Sequence, residues 1–236
     1  MNPEQRRLLR ATRQHVEGLR SLGVSAVASD DADANDSPQA VKVSMTNRTD
    51  RLTRLVNEIT KCHRCPLYRS RTHAVVGDGS LNASLVFVGE APGREEDLQG
   101  KPFVGAAGQL LTKMIQAMGL RREEVYICNV LKDRPPANRT PLPEEIEACL
   151  PFLYEQLEVI QPRVICTLGA VATKALLGPS SSISQLRGQV HTYRGISLVP
   201  TFHPAFLLRN PPAKKLAWSD LKKVKQLLEE GPQDKG

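Results

Sequence analysis

The chain has 236 residues, 40% of them hydrophobic, and carries 32 Lys and Arg against 25 Asp and Glu, a formal net charge of +7. That is material for one sizeable domain with an appendage, and the basic balance suits a polyanionic partner. No apolar run approaches the roughly 18 residues of a membrane span, and the opening MNPEQRRLLRATRQ lacks the apolar core of a signal peptide. A cytoplasmic location is therefore expected, with no membrane partner. The five cysteines then read as thiols or metal ligands rather than disulfides.

In chain order, residues 4–22 read as a helix with Leu8, Leu9, Val16 and Leu19 on one side. The Asp-, Ser- and Asn-rich stretch after it reads as a flexible linker. Residues 1–47 are thus expected to be an N-terminal extension, 48–230 a domain and 231–236 a tail. A helix at 50–60 leads into KCHRC. Four short apolar runs follow: SLVFVG (84–89), VYICNV (125–130), RVICTLG (163–169) and ISLVPTFH (196–203). Helical stretches at 107–119, 143–160 and 170–178 separate them, and a last helix is expected at 216–229. Strands alternating with helices imply an α/β fold around a four-stranded parallel sheet covered on both faces. In such a sheet the ligand site lies beyond the carboxyl ends of the strands. The residues there are Glu90, Asn129 or Val130, Gly169 and His203.

The stretch LVFVGEAPGREEDLQGKPFVG (85–105) puts four carboxylates, Glu90, Glu95, Glu96 and Asp97, at the mouth of a strand in a basic protein. GEAPG predicts a tight turn presenting backbone N–H groups, with Pro92 fixing φ between two glycines. Phe103 in the following loop is either a local hydrophobic plug or a platform for a flat ligand. The Asn129 amide suits reading the edge of a heterocycle. After His203 come Phe206, Leu207 and Leu208, then Arg209. An exposed apolar wedge beside a cation would push into stacked bases while holding phosphate. Cys62-His-Arg-Cys65 has metal-ligand spacing, and Cys149 sits on a later helix. Cys128 and Cys166 read as buried small hydrophobes.

Four segments, KCHRCPLYRSRTHAVVGDG, VFVGEAPGREEDLQGKPFVGAAGQLL, VYICNVLKDRPPANRTPLPEEIEAC and TFHPAFLLRNP, together resemble the family 4 uracil-DNA glycosylases, the iron–sulfur branch of that superfamily. The resemblance spans residues 50 to about 228. It implies a three-layer α/β/α domain that cuts a flipped uracil from its deoxyribose with water, as in base excision repair. Glu90 and Ala91 would line the pocket; the family usually has Gly where this chain has Ala91. Phe103 would stack on the uracil ring and Asn129 would pair with its edge. His203 would donate to O2 of the leaving base. Glu96 would orient water or restrict the space beside C5. Leu207 or Leu208 would fill the gap in the DNA, with Arg209 on a phosphate. The acidic loop would face the sugar, although Glu95 and Asp97 read equally well as solvated loop charges.

The family's cluster cysteines correspond to Cys62, Cys65 and Cys149, but Asp133 occupies the third position, in KDRPPANR. The favoured expectation is a 4Fe–4S cluster with Asp133 as its fourth ligand, pinning the Arg134–Arg139 loop. A 3Fe–4S form, zinc, or loss of the metal are alternatives. The partner implied is uracil-containing DNA, single- or double-stranded, met by a monomer whose N-terminal extension docks a repair or replication protein. Two rivals are a uracil-DNA-binding module with little turnover and a Mg²⁺-dependent nuclease or phosphatase using the acidic loop.

Overall fold

The computed structural model describes residues 45–178 and 182–230. The expected helix over 4–22, the linker up to residue 44 and the tail 231–236 lie outside the described residues, but the last residues of the expected linker, 45–50, are helical and the 47/48 boundary falls inside a helix. The first element, α1 (Met45–Thr60), begins ahead of the expected 50 and buries Leu55 and Ile59 beside Phe152.

The strands are β1 (Asp78–Gly79), β2 (Leu85–Gly89), β3 (Tyr126–Asn129), β4 (Val164–Leu168), β5 (His191–Tyr193) and β6 (Ile196–Thr201). The four expected strands, β2, β3, β4 and β6, pair in parallel, while β1 and β5 extend the sheet antiparallel at its two edges. The sheet of the described residues therefore has six strands rather than four, in the order β1-β3-β2-β4-β6-β5. Two- and three-residue strands are too short to leave a period-2 pattern.

The helices after α1 are α2 (Arg94–Gln99), α3 (Ala106–Ala117), α4 (Pro143–Ile160), α5 (Ala170–Leu177), α6 (Ile183–Leu186), α7 (Pro204–Arg209) and α8 (Lys214–Glu229). Every residue of β2, β3 and β4 is buried, as strands covered on both faces require. Alternate residues serve opposite faces. Leu85, Phe87 and Ile127 pack in one core with Leu111 and Ile115 of α3 and Leu221 and Val224 of α8. Val86, Val88 and Cys128 pack in the other with Leu153 and Leu157 of α4, and with Cys65 and Cys149. From β2 the chain goes to β3 on one side and then to β4 on the other. The loops after β2 and β4 thus diverge and leave a crevice at the carboxyl ends.

The stretch after His203 differs from expectation. It is α7, capped by His203 with Pro204 in its first turn, where a missing N–H costs nothing. The helix turns Leu207 into the core at 1% exposure and leaves Leu208 outside at 43%. Leu207 is therefore no wedge.

Candidate active site

A cavity of about 550 Å³ opens at these strand ends, and Glu90, Ala91, Glu96, Phe103, Asn129 and His203 all line it. Arg209 stands on its rim, while Leu207 and Leu208 do not border it. Gly89, last in β2, allows its floor to form. A Cβ there would lie 2.3 Å from Asn129 Oδ1 and 2.5 Å from Phe103 Cζ.

Asn129 ends β3 and is 1% exposed. Its position is set by its neighbours: Val130 N–H donates to Gly89 O at 2.9 Å, and the buried Lys132 Nζ donates to Asn129 O at 2.7 Å and to Gln156 Oε1 at 2.6 Å. The side-chain Oδ1 is buried with no hydrogen-bond partner. Such an orphan is unusual enough in a native fold to point to an absent donor.

Phe103 is buried although it sits in a loop, and its backbone is left-handed, φ 53°. Gly108 makes room for it, since a Cβ there would fall 1.8 Å from Phe103 O. The Phe103 ring lies 5.6 Å from that of His203, tilted by 33°. His203 Nδ1 accepts the Ala205 N–H at 3.1 Å. Burial first, then the nearby Arg209, push the imidazole down to about 4, against an opposing pull from Glu96. The ring is thus neutral at pH 7, with its proton on Nε2, the tautomer that donates.

The four carboxylates of the acidic stretch separate by environment. Glu90 is half-buried, and desolvation alone raises its pKa. Glu96 accepts Gly93 N–H on Oε2 at 3.1 Å, and Val104 and Gly105 N–H on Oε1 at 2.9 Å each. Gly93 and Gly105 are the N-caps of α2 and α3. One carboxylate thereby ties together the two loops that wall the cavity, so the expectation that Glu96 orients water meets oxygens already engaged. Asp97 is buried, accepting Thr72 N–H and Thr72 Oγ1–H at 2.8 Å each, and is not a solvated loop charge. Glu95 is exposed.

Sequence reasoning passed over Asn138 and Arg139, which line the cavity from the loop after β3. Ala137 and Asn138 both adopt left-handed backbone, φ 53° and 55°. Arg139 forks onto the buried Glu145 at 2.6 and 2.9 Å. The only advance signal was the RPPANR turn. Arg71 and Lys132 lie within the quoted segments, but nothing in those segments marks them as parts of polar networks.

Cys65 and Cys149 share one apolar cluster beneath α4, while Cys62 is partly buried. Burial pushes the Cys65 thiol up and that of Cys149 to about 11. Asp133 is close enough to raise both, as Cys62 is for Cys65. Among the described residues no three His, Cys, Asp or Glu side chains are close enough to share one metal ion. Cys65 neighbours both Cys62 and Cys149, and thiolate ligands of this kind suit an iron–sulfur cluster as well as zinc. The fourth position is different in kind: both Asp133 oxygens lie 3.0–3.2 Å from Arg71 Nη1.

Comparison with known proteins places the chain. Residues 76–222 match the family model of the uracil DNA glycosylase superfamily. The type-4 uracil-DNA glycosylase of Thermotoga maritima is 48% identical over 184 residues, 76% of this chain and 96% of that protein. Those of Archaeoglobus fulgidus (46% over 181 residues, 73% and 91%) and Saccharolobus solfataricus (44% over 192 residues, 78% and 89%) are similar in extent. With these relatives covered almost end to end, and with the family model spanning the strands and loops that form the crevice, the chain belongs to the uracil DNA glycosylase superfamily, on its type-4 branch.

Proposed function

We propose that the protein is a uracil-DNA glycosylase that hydrolyses the N-glycosidic bond of uracil in DNA and leaves an abasic site for base excision repair. The observation that carries this is the unpartnered, buried Asn129 Oδ1 in a cavity walled by Phe103 and faced by a neutral His203. A base swung out of the stack lies on Phe103 and gives its N3–H to Asn129, which cytosine, lacking that hydrogen, cannot do. As the C1′–N1 bond breaks, the electron pair leaves with the base. Nε2–H of His203 meets the charge gathering on O2, an interaction of the kind worth roughly 3–4 kcal/mol. Positive charge grows on the sugar, where Glu90 stabilises it and takes the proton of the water whose oxygen joins C1′. Glu96 holds the walls apart at the right spacing. Leu208 fills the vacated place in the DNA, and Arg209 holds a phosphate.

Cys62, Cys65 and Cys149 would hold an iron–sulfur cluster. It would supply a cross-link between the segment after α1 and the first half of α4, and hydrolysis of uracil calls on no electron transfer. The substrate is uracil in single- or double-stranded DNA, bound by a monomer, and the location is cytoplasmic; within the described residues no helix is long and apolar enough to cross a membrane. The sequence ahead of α1 docks a repair or replication partner.

The test is a uracil-containing oligonucleotide incubated with the protein and then cleaved at abasic sites by alkali. Strand breaks that vanish with His203→Ala and Asn129→Ala are expected. Tight binding without breaks in the unaltered protein would favour a binding module.

A further inference from the structure

Asp133 stands where type-4 sequences carry a cluster cysteine, and its surroundings assign it another partner. The Asp133 and Arg71 side chains are 5% and 12% exposed. A carboxylate so deeply buried must be paired or neutralised. Both of its oxygens lie against Arg71 Nη1, at 3.2 and 3.0 Å. The guanidinium cannot follow the carboxylate elsewhere, because it is tied down twice more. Nη1 donates to Cys62 O at 3.1 Å and Nη2 to Thr60 O at 2.6 Å, so it is fixed to the end of α1 and to the C-x2-C turn. Glu145, the other acid near Cys65, is no substitute, being forked by Arg139 and accepting Leu142 N–H at 2.8 Å. His63 sits edge-on against Tyr68, ring centroids 4.5 Å apart.

We infer that Asp133 is the buried counter-ion of Arg71 and not a cluster ligand, so that the chain offers a three-thiolate site of Cys62, Cys65 and Cys149. This rests on reading those cysteines as cluster ligands. The hard carboxylate gains more from a fixed guanidinium than from a soft thiolate-bound iron. The ion pair also closes the loop after β3 onto the end of α1, the mechanical link that a fourth thiolate would otherwise make. A four-iron cluster on three thiolates has one iron without a protein ligand. Taking one electron from it, with ferricyanide as the oxidant, releases that iron as Fe²⁺ and leaves a three-iron cluster.

The full chain is purified anaerobically and reconstituted with ferrous iron and sulfide. Iron and sulfide per chain are then measured, with electron paramagnetic resonance spectra, before and after one equivalent of ferricyanide. The unaltered protein and Asp133→Ala are expected to lose one iron alike and to show the same three-iron signal, while Asp133→Cys keeps its fourth iron. Should Asp133→Ala not fold, Asp133→Asn keeps an oxygen for Arg71 and is expected to match the unaltered protein. Thermal unfolding reads the pair itself: Arg71→Met and Asp133→Leu each lower Tm, and together they lower it by less than the sum. Four irons that survive oxidation in the unaltered protein, with one lost on Asp133→Ala or Asp133→Asn, would make Asp133 a ligand. Failure to take up iron and sulfide at all would also overturn the three-thiolate site. Uracil excision, measured on the same samples, reports on the pocket and not on this assignment.

Discussion

Glu90 and Glu96 are six residues apart and carry the same charge, yet their surroundings give them opposite tasks. Glu96 has both oxygens bound by loop amides, whereas desolvation is what perturbs Glu90. A base shows its own ionisation in the pH–rate profile and a brace does not. Glu90→Gln is expected to cut kcat by about 10²–10⁴-fold and to abolish the acid limb, which in the unaltered protein falls above 4.5 because the pKa is raised. Glu96→Gln keeps that limb but lowers kcat/KM, since its amide nitrogen cannot accept a backbone N–H. If instead the limb disappears with Glu96→Gln, the two roles are exchanged. His203 carries a second pH effect, this time on stability. Its folded pKa of about 4 lies below its ordinary 6.5. Between those values the unfolded chain binds a proton that the folded one refuses, so stability falls as pH drops from 6.5 towards 4. His203→Gln should remove up to about 3 kcal/mol of that fall, read as the difference between denaturant midpoints across the range. Parallel pH curves for the two proteins would place a protonated imidazole in the site.

At the scale of the element, the ends of β2 and β3 bring the reading groups together. Gly89 pairs with Asn129 in register, and the absence of a side chain there lets Phe103 close over both. Gly89→Ala would put a methyl into the space Asn129 and Phe103 occupy. Excision should drop at least 10²-fold, with overpacking costing about 1–3 kcal/mol of stability. A variant that loses stability but excises normally would mean the floor can shift without harm. The strands and helices that frame this site were legible because β2, β3 and β4 are nearly continuous apolar runs and α4 buries one face along its length. The α7 segment was not. Its three consecutive apolar residues look exposed in a linear reading, and only a helical turn separates buried Leu207 from exposed Leu208. The convergence of Glu90, Phe103, Asn129 and His203 could be read from strand ends and motifs. The role of Glu96 could not, because its partners are backbone amides, which no sequence pattern records. Arg71 escaped for a related reason: its partner Asp133 is 62 residues away.

For the whole molecule, the net charge of +7 is useful only where it meets the backbone of DNA. Around the cavity Arg94, Arg139 and Arg209 supply cations, but they are not equivalent. Arg209, exposed in the last turn of α7, is placed to meet a phosphate beside the flipped nucleotide. Arg139 already serves the buried Glu145. Phosphate contacts release counterions, so log K should fall linearly with log salt, with a slope near −0.7 to −0.9 per contact. Arg209→Ala should therefore weaken binding to every sequence about equally and flatten the slope by about 1, leaving Tm unchanged. Arg139→Ala should lower Tm, because it strips the partner from a buried carboxylate, and should alter DNA binding only through the displaced loop. Binding of a uracil-containing duplex bearing a non-cleavable sugar, titrated from low to high salt beside thermal melts of the same variants, separates the two. An unchanged slope in Arg209→Ala would move the phosphate contact off α7, and with it the placing of Leu208 in the DNA, since both depend on that helix lying against the strand.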